Sequence, residues 1–233
     1  MPLVVVDTSV ALPATLSPRG LARKFWVLLA LGALTHREEH LRLELEALER
    51  QVAETGGTIG GRTAIETLIK RAGERRAALA ELLPHDTPGD WTAAGGAYLF
   101  DEYERKVRVV SAKLGRDVDD REAAQLRRQV EAVCIAGPPP FDPAAVPALT
   151  PDPTDDAIVY TALRAGADLI VSDDKHIVPR QANGAHVYEH DQRRLLAVTF
   201  DRLLHDHLHD VDWDEVDGMW LAEAYRGLNV VPR

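Results

Sequence analysis

The sequence predicts an α/β protein built on a central parallel sheet, and three observations lead there. The run Leu3-Val4-Val5-Val6 ends on Asp7-Thr8-Ser9. Far along the chain, Leu169-Ile170-Val171 ends on Ser172-Asp173-Asp174-Lys175. Both runs are short, apolar and rich in β-branched residues, as strands buried on both faces are. Between them lie segments of helical periodicity, so strands alternate with helices, which argues a parallel sheet.

After the first strand, Pro18 and Gly20 open a helix through Leu21, Phe25, Leu28 and Leu29. A second helix is predicted from Glu38 to about Val52, with Leu41, Leu45, Leu48 and Val52 on one face. The glycine-rich stretch Thr55 to Gly61 breaks it. A third helix runs from about Thr63 to Leu83 and stops at Pro84 and Pro88. The pair reads as an antiparallel helical hairpin. Gly56 to Thr63 imitates a phosphate-binding loop, but with Arg62 for the lysine and a helix where a strand should precede; it reads as the hinge.

The sheet pattern resumes with Ala97-Tyr98-Leu99-Phe100 as a strand, followed by a helix from Asp101 to Leu114. A helix over Arg121–Glu131, a strand at Val133-Cys134-Ile135 and a proline-rich connection from Pro138 to Pro153 come next. Thr154 or Asp155 caps a helix that closes at Ala165-Gly166. Ala185-His186-Val187-Tyr188 is the last predicted strand, and Asp201–His209 is helical. His205 and His209 stand four apart there, yet no third ligand accompanies them. Trp213, Met219, Trp220 and Tyr225 read as anchors for the tail. The organisation is a core over 1–34 and 95–190, an inserted hairpin over 35–94 and an acidic C-terminal extension over 191–233.

The chain has 233 residues and a formal net charge of −10. Phosphate neutralisation needs Lys and Arg, so this balance weighs against nucleic acid as a partner. The charge is uneven, however. Eight Asp or Glu face three Lys or Arg between Phe200 and Arg233, whereas Arg105, Lys106, Arg108, Lys113 and Arg116 form a local basic stretch. No apolar run approaches the roughly 20 residues of a membrane span. The opening residues carry no signal-peptide pattern. The single Cys134 cannot form an internal disulfide, which suits a reducing cytoplasm.

Four acids are placed where strand ends and helix starts converge: Asp7, Glu102, Asp155 and Asp174. Ligands sit beyond the carboxyl ends of strands in open α/β sheets. Carboxylates with no His or Cys among them suit Mg²⁺ or Mn²⁺. Two such ions about 3.5–4 Å apart clamp a phosphodiester for in-line cleavage. Asp101 and Glu104 flank Glu102 and could supply its ligand instead. Asp152 and Asp156 read as turn and cap residues. Ser9, Ser172, Asp173 and Lys175 are supporting candidates, and Arg19, Arg23, Lys24, Lys106 and Lys175 could line an RNA path.

These motifs resemble the PIN-domain ribonucleases, which include the toxin component of many bacterial toxin–antitoxin pairs. Val4-Val5-Val6-Asp7-Thr8-Ser9-Val10 resembles that family's first strand, and Leu16-Ser17-Pro18-Arg19-Gly20 a subgroup of its toxins. Asp101-Glu102-Tyr103-Glu104 resembles its Glu-Tyr helix start. Pro151 to Asp156 followed by Ala167 to Lys175 resembles its most specific signature. The resemblance covers Met1 to about Leu34 and Gly95 to about Tyr188. It implies a three-layer α/β/α fold, a Mg²⁺ or Mn²⁺ site on Asp7, Glu102, Asp155 and Asp174, and cleavage of single-stranded RNA. Structured RNA, an antitoxin protein and a second copy of the chain are the partners it suggests. The chain departs from the family at Ser9, commonly Asn, and at His176, where a second Asp is usual. Two other classes stay open: a PIN-like module that binds RNA or protein without cutting, and a haloacid-dehalogenase-type phosphatase, which wants Asp where Ser9 stands.

Overall fold

The computed structural model describes residues 2–17, 20–55, 61–81, 83, 90–113, 115 and 117–216. Six strands, β1 (Leu3–Val6), β2 (Thr92–Ala94), β3 (Cys134–Ala136), β4 (Leu169–Val171), β5 (Ala185–His190) and β6 (Arg193–Val198), form one sheet in the order β3-β2-β1-β4-β6-β5. All pairs are parallel except β5 with β6. The helices are α1 (Thr8–Leu16), α2 (Leu21–Thr55), α3 (Arg62–Ala80), α4 (Ala97–Lys113), α5 (Asp120–Val133), α6 (Pro153–Ala165) and α7 (Phe200–His207).

Side-chain alternation along the strands builds two cores, one on each face of the sheet. Val4 and Val6 of β1 and Leu169 and Val171 of β4 join one core with residues of α1, α2, α5 and α7. Val5, Ile170 and Ala197 point the other way, into a core with Ile158, Val159, Ala162 and Leu163 of α6. The strands are short, so burial on both faces rather than length holds them.

Several predicted elements are displaced. Ala97–Phe100 is the first turn of α4, not a strand; β2 lies earlier, at Thr92–Ala94. Pairing with β1 ends at Val5↔Ala94, and Gly95-Gly96 then breaks the strand. Leu99, Tyr103 and Val107, spaced by four, are buried along α4. Glu102 is therefore in the second turn of its helix rather than the first. The two helices predicted over 21–52 are one, α2, which passes without a break from the sheet into the hairpin. α1 and β6 have no counterpart in the sequence reading. β6 follows a two-residue turn in which Asp191 and Gln192 both take positive φ, at 48° and 64°. α6 is capped by Asp152 rather than Thr154 or Asp155, and Gly166 closes it in the left-handed conformation. Residues 191–216, taken as extension, supply β6, α7 and the buried Leu208, Val211 and Val216. α7 ends at His207, so His209 is off the helix, and both His205 and His209 are exposed. Trp213 packs against the core, and its carbonyl oxygen accepts a hydrogen bond from Lys24 Nζ. Met219, Trp220, Tyr225 and the Gly56–Gly60 hinge lie outside the described residues.

In the hairpin, Leu41 and Ala72 form a small core with Leu68 and Ile69. Buried Glu38 pins the two helices, accepting from Arg42 at 2.5 Å and from Arg76 at 2.8 Å. No described helix is long and apolar enough to cross a membrane.

The approach of α2 to the sheet depends on Gly32. A Cβ there would stand 1.8 Å from the carbonyl oxygen of Trp91, immediately before β2. Backbone cannot yield as a side chain can, so Gly32→Ala should destabilise the fold by about 1–3 kcal/mol or more. Thermal unfolding measures this; an unchanged midpoint would contradict the close approach.

Candidate functional site

β1 and β4 are neighbours, with β2 and β3 on one side and β6 and β5 on the other. The chain leaves β1 toward β2 and returns through β4 to build the other half. The carboxyl ends of β1 and β4 thus flank the crevice where the strand order reverses, the usual ligand position in such sheets. Asp7 N donates to Val171 O at 2.9 Å and Ser172 N to Val198 O at 2.9 Å, which brings both strand ends level.

Asp7 is 1 % exposed and caps α1. Its Oδ1 accepts from Thr8 N at 2.6 Å; its Oδ2 accepts from Ser9 N at 3.2 Å, Ser9 Oγ at 2.6 Å and Ser172 Oγ at 2.8 Å. A carboxylate offers about four lone-pair positions, so these donors nearly fill it. The same two hydroxyls continue across the crevice. Ser172 Oγ accepts from Asp174 N and Ser9 Oγ from Asp173 N, both at 3.0 Å. Asp173 Oδ1 in turn accepts from Phe200 N at 2.9 Å, which ties it to the start of α7.

α6 and α4 contribute acids of another kind. The Asp152 cap accepts from Thr154 N and Thr154 Oγ1, which holds its carboxyl below the usual range. Asp156, in the first turn of α6, accepts from Leu149 N and Thr150 N and fastens the preceding loop to the helix. Asp155, in the first turn of α6, is 4 % exposed, and its Oδ2 has no hydrogen-bond partner among the described residues. Glu102 is 6 % exposed. Its Oε1 meets Lys106 Nζ at 2.6 Å, while its Oε2 is buried without a hydrogen-bond partner among the described residues. Lys106 Nζ also donates to Thr8 Oγ1 at 3.0 Å. Lys106 is thus turned into the acids rather than along an RNA path. The alternatives to Glu102 face elsewhere: Asp101 and Glu104 bind Arg127 at 2.5 and 3.1 Å. Arg23 and Lys24 donate to main-chain carbonyls away from the crevice, and Arg19 lies outside the described residues.

One residue of the site departs from the all-oxygen expectation. His176 Nδ1 lies 3.4 Å from Asp155 Oδ2, 3.5 Å from Asp174 Oδ1 and 3.6 Å from Asp152 Oδ2. Asp152, Asp155 and His176 present ligand atoms close enough to share one ion. The sequence signal was the turn after Asp174: His176 N donates to Asp174 Oδ1 at 2.9 Å, folding the ring back over the acids.

The electrostatics follow from this crowding. Burial pushes Asp155 up to about 6, and Asp174, Asp7 and Asp152 add to the rise. Burial also raises Glu102, with Lys106 opposing and Asp7 adding. Burial alone would lower Lys106, but its ion pair with Glu102 and the fields of Asp7 and Asp155 hold it above its ordinary value. Beyond the acids, a cleft of about 470 Å³ opens beside Asp173 and Asp174, lined by Lys175, Arg180 and Thr199. Lys175 and Arg180 are exposed.

Comparison with protein-family models, curated proteins and solved structures finds no match for this chain.

The four predicted acids are brought together, but unequally. Asp7 is bound by protein donors, whereas Glu102 and Asp155 each keep a buried oxygen free. That is the fit a divalent cation requires, because a free carboxylate oxygen is costly to bury unless something positive meets it. A consequence holds for the metal-free protein. An acid raised from 3.8 to about 6 on folding costs nothing below pH 3.8 and destabilises as pH climbs through 6. Asp155→Asn should therefore stabilise the metal-free protein at pH 7, by roughly 2–3 kcal/mol, with the gain shrinking as pH falls below about 6 and gone below pH 4. Urea unfolding at the two pH values in the presence of a chelator checks the sign.

Proposed function

We propose that this chain is a divalent-metal-dependent endoribonuclease with a PIN-like core, acting on single-stranded RNA. The observation that carries the reading is the pair of buried, unpartnered oxygens, Glu102 Oε2 and Asp155 Oδ2, within a ring of acids at the strand-order reversal. Asp155, Asp174 and Glu102 would hold the cation, with Asp7 beside them. When bound, Mg²⁺ or Mn²⁺ acidifies a water and neutralises the charge that builds on a phosphoryl group in transit.

The protein's own groups do the rest. Ser9 and Ser172 lock Asp7 and carry its orientation to Asp174 through the Asp174 N bond. Lys106 neutralises one Glu102 oxygen and leaves the other without a hydrogen-bond partner among the described residues. Lys175 and Arg180 line the cleft next to Asp174, where the flanking phosphates of an extended strand would run. An acidic protein can thus present a local cationic track. The resemblance to toxin components supports an antitoxin partner, which co-purification with the product of a neighbouring open reading frame would test.

Asp155→Asn and Glu102→Gln should each lower Mn²⁺-dependent cleavage of a single-stranded RNA by about 100-fold or more, while Asp156→Asn should act on stability. Parent-like cleavage by both site variants would refute the mechanism. A second reading, a module that binds RNA or protein without cutting, is favoured by one observation. Lys106 already supplies a positive charge within hydrogen-bonding distance of Glu102 and Thr8. Calorimetric titration with Mn²⁺ separates the two: no binding at millimolar concentration supports the non-cutting module.

A further inference from the structure

The position of His176 bears on which ion the site takes. Its Nδ1 stands 3.4–3.6 Å from one oxygen of each of three carboxylates, on Asp152, Asp155 and Asp174. Those separations exceed the roughly 2.7–3.2 Å of an N–H···O hydrogen bond. The 3.4 Å to Asp155 Oδ2 falls within the spacing of ligands around a shared ion, and the 3.6 Å to Asp152 Oδ2 lies just beyond it. Two donors each about 2.1 Å from one cation stand about 3.0–3.4 Å apart at octahedral to tetrahedral angles. One of the three oxygens, Asp155 Oδ2, is buried on a residue 4 % exposed and has no hydrogen-bond partner among the described residues.

The ring is also fixed in place. The His176 main chain is held from below by Asp174 Oδ1, which accepts its N–H at 2.9 Å. Behind it, Ile177 is buried and its carbonyl accepts from Tyr188 Oη at 2.7 Å. The turn is therefore anchored on both sides of the imidazole, while the side chain itself keeps 35 % of its surface open. Such a rigid turn with an accessible ring is how a protein sets a ligand without ordering it at binding.

We propose that His176 Nδ1 joins Asp152 and Asp155 in a mixed nitrogen–oxygen centre that takes a first-row transition dication in preference to Mg²⁺. The inference rests on the metal-dependent reading above and specifies its ion. Imidazole nitrogen suits Mn²⁺, Fe²⁺ or Zn²⁺, whereas Mg²⁺ demands oxygen and keeps its waters. A neutral imidazole also adds a donor to a crowded set of acids without adding negative charge.

The test uses Mn²⁺ as the probe, with Mg²⁺ as competitor, on the full chain. Pulsed electron paramagnetic resonance on the bound Mn²⁺ should show coupling to a directly ligated ¹⁴N in the parent. His176→Asp, which swaps the nitrogen for an oxygen donor on an exposed turn, should abolish that coupling. The same substitution should cut the excess of Mg²⁺ needed to displace Mn²⁺ by roughly tenfold or more. His176→Asn should lose the coupling too and weaken Mn²⁺ binding. Bound Mn²⁺ without nitrogen coupling, or an unchanged displacement ratio in His176→Asp, overturns the inference and leaves the metal-dependent reading standing. No Mn²⁺ binding by the parent removes both, and that outcome is distinct from the others.

Discussion

The rest of the site depends on how buried carboxylates are held at one edge of a short parallel sheet. The chain carries a net charge of −10, so long-range charge offers no relief there. Asp7, Glu102 and Asp155 are nonetheless all less than 10 % exposed. The structure meets this locally in two ways. Asp7 is surrounded by main-chain N–H groups of α1 and by three hydroxyls, so its charge is solvated by the protein. Glu102 is half-neutralised by Lys106, one helical turn along on the same face. Asp155 Oδ2 accepts no hydrogen bond among the described residues, and despite the field of Lys106 its carboxyl is pushed up to about 6.

That difference assigns the acids different work. A carboxylate whose lone pairs are taken by fixed donors is a structural fastener, because binding an ion there first breaks hydrogen bonds. The hydrogen bonds of Asp7 join β1, α1 and the end of β4 into one frame. The oxygens of Glu102 and Asp155 that lack a hydrogen-bond partner among the described residues carry the stored cost, and on the proposed reading a cation would recover it on binding.

The parts of this arrangement readable in the sequence are those governed by local rules. β1 and β4 were legible because strands buried on both faces are continuous β-branched runs, and the acids at their ends mark the edge. The end of α6 was legible because a glycine at a left-handed cap is a strong signal. Tertiary packing decided the rest. Tyr98, Leu99 and Phe100 fit a strand or a helix equally in so short a window, and only the pairing of β2 with β1 resolves them. β6 stayed hidden because its hairpin turn uses Asp191 and Gln192 where glycine would have advertised positive φ. The join of α2 to the hairpin stayed hidden because nothing local says that Gly32 faces a carbonyl rather than ending a helix. His176 looked like the loss of an acid from the motif. Its role emerges only when α6 is laid beside the β4 turn, since Asp152 and Asp155 come from one element and Asp174 and His176 from the other.

The same geometry constrains how the site could work at all. Asp152 and Asp155 ride on the first turn of α6, whose N–H groups favour negative charge, while Asp174 and His176 ride on a turn tied to Asp7 through Ser172. Any ion bridging the two groups therefore couples α6 to the β1–β4 edge. Binding would stiffen this edge of the sheet, and a substrate phosphate would meet a centre whose ligands cannot drift apart. Lys175 and Arg180 stand outside this frame on the cleft. On the proposed reading, charge for capturing a strand and charge for acting on it would sit on separate elements, which would let an acidic chain serve an anionic polymer.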